Sequence, residues 1–283
     1  MYTHTEEKPT KYGVRMAFKG LLSISEFSKL TDIPRSKLIY YDEIGLFPAV
    51  ERGENNYRYY SLNQIIIAGF INDMASFGIS LKELLALKDI RTPEMMIGVL
   101  EKASKEHREK IIKLRETLSI MGVMTDLMKE GLKAEGKEVE VLEFEPHNYI
   151  MGSENVHQEA STFYPAWLTF MNSAQKAGVN IKYPVGGLFN DLERFVANPN
   201  MPSRFYFLNP HGRDQSAGGK WLCGYVRSFY GQAADELPQN MISYAEEHNL
   251  ELTGPVFNTF LLDEISTIDH DQYLLRASIK IVE

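Results

Sequence analysis

Apolar side chains recur at alternating steps of three and four between Ile111 and Leu132. The series is Ile111, Leu114, Leu118, Met121, Thr125, Met128 and Leu132, an a/d seam over three heptads. It predicts a helix about 30 Å long at 1.5 Å per residue. Packing of this helix on its own domain is the alternative, but the sequence offers no second long helix to pair with it. The seam therefore favours a coiled coil between two copies of the chain.

Two short helical patterns precede this seam in residues 23–45. The first opens on Ser-Ile-Ser-Glu at 23–26, a capping box in which the hydroxyl and the carboxylate satisfy the first amides of a helix. That helix runs through Leu30, and a second runs from Pro34 to about Ile44, since proline suits a first helical turn. The spacing predicts a helix-turn-helix, although an αα-hairpin without DNA-binding function fits the spacing equally well.

A short wing is predicted directly after these helices. A turn at 53–56 separates Val50 from the run Tyr57-Arg58-Tyr59-Tyr60. An arginine between tyrosines can hold a phosphate, so this segment favours DNA binding over a plain hairpin of helices. Further helices are predicted from Ser61 through Met74, from a second capping box at 80–83 through Leu87, and from Thr92-Pro93 onward.

The second half of the sequence alternates strand and helix patterns. Strands are predicted at 139–145, 185–189, 204–208, 220–230, 255–262 and 273–282, and helices at 159–177 and 236–249. Strand, helix, strand, strand occurs twice, which indicates two related α+β modules. The predicted fold class is α+β, with a flexible extension at 1–20, a winged helix-turn-helix at 21–91, a linker and coiled-coil helix at 92–134, and an effector-binding domain at 138–283.

Composition and charge divide the chain in the same way. At 44% hydrophobic and 24% charged residues, the composition is that of a globular protein. Residues 1–135 carry a net charge of +1 and 12 aromatic residues, whereas residues 136–283 carry −9 and 20 aromatic residues. No apolar run approaches the ~20 residues of a membrane span, so we expect a cytoplasmic, nucleoid-associated protein without a membrane partner. Cys223, the single cysteine, excludes an internal disulfide and a paired-thiolate metal site.

Three segments together resemble a known family. Ser23-Ile24-Ser25-Glu26-Phe27, Leu38-Ile39-Tyr40-Tyr41-Asp42-Glu43-Ile44-Gly45-Leu46 and Tyr57-Arg58-Tyr59-Tyr60-Ser61 resemble the winged-helix N-terminus of MerR-family transcription regulators. The resemblance extends over about residues 21–133. The C-terminal half is more weakly similar to the gyrase-inhibitor-like effector domain of multidrug-sensing members, through Gly254-Pro255-Val256-Phe257 and the closing strand. Residues 1–20 lie outside the pattern, and we expect Met16 to lie near the natural start.

The resemblance implies an antiparallel coiled-coil homodimer that places two recognition helices in successive major grooves of double-stranded promoter DNA. It also implies an activator that distorts an over-long promoter spacer so that RNA polymerase engages the shared promoter. Arg58 and Tyr57 would contact phosphates, and from the residues alone Arg35 and Lys37 can reach DNA. The family usually has Arg at Ile39, so one phosphate contact is absent or has moved to Arg35. The predicted DNA-binding set is Ser23, Arg35, Ser36, Lys37, Tyr40, Tyr41, Arg52, Asn56, Tyr57, Arg58 and Tyr59.

For the second domain, the resemblance implies a lipophilic, cationic aromatic effector held between aromatic rings and a buried carboxylate. The predicted ligand-binding residues are Tyr149, Phe163, Tyr164, Trp167, Tyr183, Trp221, Tyr225, Phe257, Asn258 and Tyr273. Asn258 stands where drug-sensing members often have Glu, and Asn cannot neutralise a buried cation. Either another acid serves or the ligand is neutral. The candidate acids are Glu143, Glu145, Asp191, Glu193, Asp263 and Glu264.

Two other functions stay open on the sequence. Related effector domains include hydrolases that use Glu and Tyr, but Cys223 has no neighbouring His, and the histidines lack metal-ligand spacing. The other alternative is a DNA-bending protein that needs no ligand. We expect no catalytic residues, no metal and no cofactor.

Overall fold

The computed structural model describes residues 20–53, 56–155, 163–227 and 236–282. Contacts divide the chain into two compact units, unit 1 (Met1–Ile112) and unit 2 (Lys113–Glu283). The division falls inside the segment predicted as the dimerisation helix. The predicted extension at 1–20 lies outside the described residues apart from Gly20.

Unit 1 contains the predicted helix-turn-helix and wing. Its helices are α1 (Ile24–Thr31), α2 (Arg35–Glu43), α3 (Gln64–Ser76) and α4 (Leu81–Leu87), and its strands are β1 (Leu22–Ser23), β2 (Glu51–Arg52) and β3 (Arg58–Tyr60). The strands form an antiparallel sheet in the order β1-β3-β2, so the two-stranded wing gains a third strand from the residues before α1. Both predicted capping boxes form, with Ser23 accepting from the Glu26 amide and Ser80 from the Glu83 amide.

The core of unit 1 joins the helices to the wing. Phe27 of α1 stacks on Tyr60 of β3 with ring centroids 4.7 Å apart, and Tyr60 stacks on Phe47 at 5.6 Å. These three rings are at most 3% exposed. Their burial fixes the wing against the first helix, because the aromatic side chains supply most of the apolar area at this junction.

A single helix, α5 (Pro93–Lys133), replaces the two helices suggested by the sequence. It has 41 residues and is therefore about 60 Å long. Near its start Met96, Val99 and Ala103 pack on the core of unit 1. Farther along, the seam residues Ile111, Leu114, Leu118, Met121 and Leu132 are 48–67% exposed. The apolar seam thus stays uncovered along the chain's own long helix.

Unit 2 is built on one antiparallel sheet of eight strands. The strands are β4 (Val139–Phe144), β5 (Asn148–Glu154), β6 (Val185–Phe189), β7 (Arg204–Phe207), β8 (Asp214–Gln215), β9 (Gly219–Arg227), β10 (Leu252–Leu262) and β11 (Leu274–Ile281), in the order β4-β9-β11-β10-β6-β7-β5-β8. The helices are α6 (Phe163–Lys176), α7 (Leu192–Ala197) and α8 (Glu236–Glu247).

The two predicted modules are present, with one strand reassigned. The first is β5-α6-β6-β7 and the second is β9-α8-β10-β11, and in each the third strand lies between the other two. The strand at 139–145, predicted to open the first module, is instead the edge strand β4 beside β9. The strands β5 and β8 and the helix α7 were not predicted from the sequence. No helix among the described residues is long and apolar enough to span a membrane.

Candidate functional site

Polar and cationic side chains line the start of α2 in unit 1. Arg35, Ser36 and Lys37 are exposed there, and Tyr40 is 50% exposed one turn later. The Arg35 Nη1 donates to the Ser25 hydroxyl at 3.4 Å, which holds its guanidinium near the start of α1. These side chains share one accessible helix end, an arrangement that suits contacts to phosphates and base edges.

Tyr41 corrects one expectation. Its side chain is only 2% exposed and belongs to the core of unit 1, so it is withdrawn from the predicted DNA-binding set. Adjacent helical positions point in directions about 100° apart. The pair Tyr40-Tyr41 therefore divides into one surface ring and one core ring, and burial of Tyr41 raises the pKa of its phenol.

A buried carboxylate ties the wing to α2. The Asp42 Oδ2 accepts from the Arg52 Nη2 and the Arg58 Nε, each at 2.6 Å, and its Oδ1 accepts from the Ala49 amide at 2.9 Å. Burial alone would raise the pKa of Asp42, but the Ala49 amide and the two guanidiniums outweigh it, and the pKa falls below its ordinary value. Asp42 is therefore the acceptor that orders both strands of the wing.

The wing residues predicted to contact DNA differ in accessibility. Arg58 has 15% of its side chain exposed, against 46% for Arg52, although both guanidiniums lie 2.6 Å from the Asp42 Oδ2. Tyr57 is 56% exposed and Asn56 is exposed beside it, whereas Tyr59 is half-buried. The hydroxyl of Ser23 is engaged in the capping box of α1. Among the wing residues that the structure describes, Arg52, Asn56 and Tyr57 are thus the accessible members of the predicted set.

Unit 2 contains a cavity of about 410 Å³ between α6, the strands β6, β7 and β10, and the loop after β10. Its volume is in the range of small-molecule sites. Five of the predicted ligand-binding residues line it, namely Phe163, Tyr164, Trp167, Tyr183 and Asn258. Apolar walls that the sequence analysis did not single out include Met124, Met171, Phe205 and Phe260. The sequence contains no pattern that marks these four residues as ligand contacts.

The other five predicted ligand-binding residues lie away from the cavity. Tyr149, Trp221 and Phe257 pack in a solid cluster, with the Phe257 ring centroid 5.6 Å from Tyr149 and 5.8 Å from Trp221. Tyr225 donates its hydroxyl to Glu140 at 2.9 Å, and Tyr273 is 2% exposed. None of these five lines the cavity, and all five are buried core residues.

The structure also sorts the six candidate acids. Asp263 and Glu264 line the cavity, where the loop leaves β10. Glu143, Glu145, Asp191 and Glu193 do not line it. Burial raises the pKa of Asp263, with the nearby Glu264 acting in the same direction. A carboxylate is therefore present at the cavity wall, although Asn258 occupies the position expected for it.

Two residues that line the cavity each carry a buried polar atom that has no hydrogen-bond partner within the part of the chain that the structure describes. These atoms are the Tyr183 hydroxyl and the Asn258 Oδ1, and the two residues are only 2% and 8% exposed. A buried polar group without a partner costs about 1–3 kcal/mol. The folded protein therefore bears this cost at both positions.

Tyr183→Phe is accordingly expected to stabilise unit 2 by about 1 kcal/mol, because it removes an unpaired hydroxyl. Urea unfolding followed by tryptophan fluorescence measures this directly, since Trp167 and Trp221 both lie in unit 2. Tyr206→Phe is the matched control. Its hydroxyl is bonded to Thr259 at 2.7 Å, so that variant should lose about 1 kcal/mol. Equal losses in both variants would contradict the assignment.

Cys223 is unsuited to nucleophilic catalysis. It is fully buried, and burial raises the pKa of its thiol to about 11, so the thiol is protonated at neutral pH. His147 is bonded through its Nδ1 to the Ser216 hydroxyl at 3.0 Å, and burial lowers its pKa. Cys223, His147 and Ser216 do not line the cavity. The hydrogen bond between His147 and Ser216 joins two segments of the fold and lies apart from the candidate ligand site.

Comparison with known proteins gives concordant matches. Residues 23–60 match the family model described as MerR family regulatory protein. The Multidrug-efflux transporter 2 regulator of Bacillus subtilis (strain 168) is 23% identical over 273 residues, covering 94% of this chain and 98% of that protein. The Multidrug-efflux transporter 1 regulator of the same organism is 24% identical over 279 residues, covering 92% and 98%. A solved EcmrR-DNA complex in EcmrR-RPo aligns with 92% of this chain and 99% of that chain, at 14% identity and a TM-score of 0.38.

Proposed function

We propose that this chain, in which residues 23–60 form a MerR-family regulatory domain, is a ligand-responsive DNA-binding transcription regulator. The observation that carries the proposal is the combination of two sites in one chain. Unit 1 presents an exposed polar helix end and wing, and unit 2 contains an aromatic cavity of about 410 Å³. The similarity to two multidrug-efflux transporter regulators, over more than nine-tenths of the chain, supports the same function.

On the DNA side, the helix α2 is the recognition helix and the wing contacts the flanking backbone. Arg35, Lys37 and Tyr40 are the accessible side chains of α2, and Arg52 and Tyr57 those of the wing. Two copies joined through the exposed seam of α5 would present two such surfaces to successive major grooves, as dimeric helix-turn-helix proteins do. The binding site is then a palindrome with one half-site for each copy.

On the ligand side, the cavity in unit 2 takes a lipophilic aromatic molecule. Occupation changes the DNA shape that the dimer imposes, so that RNA polymerase engages an over-long promoter spacer. Regulation of this type needs no enzymatic step and no cofactor. We propose that the protein acts at the nucleoid, in the cytoplasm.

Selection of bound fragments from a random double-stranded DNA pool tests the proposal. We expect enrichment of a palindrome whose half-sites are about 10 base pairs apart, protected symmetrically in footprinting. Failure to enrich any sequence would refute the regulator. Enrichment of a site whose distortion is the same with and without ligand would instead favour a DNA-bending protein that needs no ligand.

Lys37→Ala is expected to weaken binding to the selected site and to unrelated DNA by the same factor. Loss of one phosphate contact per copy should lower the slope of log affinity against log salt by about 0.9 for each contact. Anisotropy titrations at several salt concentrations measure this slope. Lys105→Ala, an exposed cation within α5, is the control and should leave the slope unchanged. Loss of affinity at the selected site alone would show that Lys37 reads bases.

A further inference from the structure

We propose that the long helix α5 is itself part of the ligand site, with Met124 as its ligand-contacting residue and with Glu130 and Arg276 as positioning residues that hold the helix to the sheet. The inference rests on the proposed ligand-responsive function, and it names the element through which an occupied cavity acts. Three features carry it: a residue of α5 in the cavity wall, two close attachments of α5 to the sheet, and an exposed apolar seam on the same helix.

The C-terminal part of α5 carries two apolar stripes. Ile120, Leu127 and Ala134 are at most 9% exposed and belong to the cores of unit 2. Met124 lies in the same stripe, because steps of three and four residues share one face of a helix. The seam residue Met121, in contrast, is 58% exposed. One segment of helix therefore packs on unit 2 through one stripe and leaves the other stripe available for a second copy.

Met124 brings α5 into the cavity wall. Its side chain lines the cavity and packs on the core cluster that contains Phe205, another lining residue. Among the lining residues that the structure describes, Met124 is the one that α5 contributes, and the others come from α6, the strands and the loops. A thioether side chain is flexible and polarisable, so it adapts to ligands of different shape. A ligand that fills the cavity therefore contacts α5 directly.

An ion pair attaches this part of α5 to β11. The Glu130 Oε2 accepts from the Arg276 Nη1 at 2.5 Å, and the Arg276 side chain is only 11% exposed. Arg276 directly follows Leu275, which lines the cavity. Separating the pair would leave a buried arginine without its carboxylate, which is strongly unfavourable. We therefore expect the helix and the strand to move together.

A close approach of backbones attaches α5 to β10 as well. A Cβ atom at Gly131 would lie 2.7 Å from the Leu262 Cγ, so the absence of a side chain is what lets the helix approach this strand. Leu262 ends β10, and the next residue, Asp263, lines the cavity. Thus α5 is attached to two strands that both contribute to the cavity wall.

These contacts give the ligand a direct effect on α5. A ligand shifts an equilibrium between two conformations only if its interactions differ between them. The contact with Met124 supplies such a difference, because a displacement of α5 changes the cavity wall and the exposed seam together. Coupling between two binding sites is reciprocal. Protein bound to DNA should therefore bind the ligand with a different affinity from free protein.

Ligand titrations of the full chain, with and without the selected DNA, test the inference with 2-(naphthalen-2-yl)ethanol and 2-(naphthalen-2-yl)ethylammonium as probes. We expect the affinity for each probe to differ at least about fivefold between free and DNA-bound parent, the lower end of usual allosteric coupling. Met124→Ala should bring this ratio to within about twofold of one, because it removes the contact with α5. The matched control is Met171→Ala, which removes the same side chain from the α6 wall of the cavity and should keep the ratio of the parent.

Glu130→Gln tests the positioning role separately. Glu130 does not line the cavity, so the probe affinity of the free variant should stay within about twofold of the parent, while the ratio should fall to less than about half. Asp126→Asn is the control on the same helix. Its carboxylate is 74% exposed and 3.7 Å from the Lys129 Nζ, so its loss should leave both quantities unchanged.

The outcomes separate this inference from the proposed function. If the ratio persists in Met124→Ala, or falls equally in Met171→Ala, the inference is overturned and the ligand-responsive regulator stands. An unchanged ratio in Glu130→Gln would overturn the role of the ion pair. A ratio of one in the parent, or no binding of either probe, would refute the ligand response together with the inference. The enrichment of a palindromic site then decides independently whether the chain is a DNA-binding regulator.

Discussion

Leu118→Glu is expected to convert the protein from a dimer to a monomer and to weaken operator binding by about 10²–10⁴-fold, the usual gain from linking two binding modules. Leu118 occupies the a/d seam of α5 and is 67% exposed in the single chain. In a coiled-coil dimer the substitution places two carboxylates in the apolar seam, where each loses its water without gaining a partner. Sedimentation equilibrium measures the dimer, and anisotropy with the selected DNA measures affinity.

Thr117→Glu is the matched control for this experiment. Thr117 is also exposed, and its substitution adds the same carboxylate, but it lies one position outside the seam. Because adjacent helical positions point in directions about 100° apart, this variant should remain dimeric and bind DNA within a few-fold of the parent. A monomeric parent, or equal effects of the two substitutions, would refute dimerisation through this seam.

Local signals in the sequence predicted unit 1 well. The capping boxes at Ser23 and Ser80 form as expected, because each requires only residues three positions apart. The continuity of α5 was missed for a different reason. Near the start of α5 the apolar residues Met96 and Val99 pack on the core of unit 1, whereas the later apolar residues form the exposed seam. The apolar pattern therefore changes phase along the helix. A change of packing partner along one helix therefore looked like a break between two helices.

Unit 2 was predicted less completely because its pairings are distant in sequence. The strand β5 contains Asn148 and Gly152 and lacks a clear alternation, yet it pairs with β7, more than 50 residues later. The excess of aromatic residues indicated an aromatic site but not its members. Only the fold separates Phe163 and Trp167, which line the cavity, from Trp221, which is packed against Phe257.

Asp42→Asn is expected to lower the free energy of unfolding of unit 1 by about 3 kcal/mol, within the range for breaking a buried ion pair. The variant keeps the shape of the side chain and an acceptor for the Ala49 amide, but leaves the guanidiniums of Arg52 and Arg58 without their carboxylate. Far-UV circular dichroism in urea measures the loss. The tryptophan transition should not move, since both tryptophans lie in unit 2.

Glu43→Gln is the control, because it neutralises the adjacent acid on the same helix. Its carboxylate is 59% exposed and lies 3.6 Å from the Arg58 Nη2, so its loss should cost less than about 0.5 kcal/mol.

The dependence of stability on pH gives a second check on Asp42. Because the pKa of Asp42 is lowered on folding, its contribution is complete above about pH 4 and is lost as pH falls through the folded pKa.

The difference in stability between the parent and Asp42→Asn should therefore be constant near neutrality and shrink in acid. A difference that grows as the pH falls would mean that Asp42 is not the ionised partner of the two arginines.

The same variant decides how Arg58 acts. If Arg58 mainly anchors the wing, Arg58→Ala should reproduce a large part of the stability loss of Asp42→Asn, because it removes one of the two ion pairs that Asp42→Asn removes. If Arg58 mainly contacts phosphate, Arg58→Ala alone should lower the salt slope.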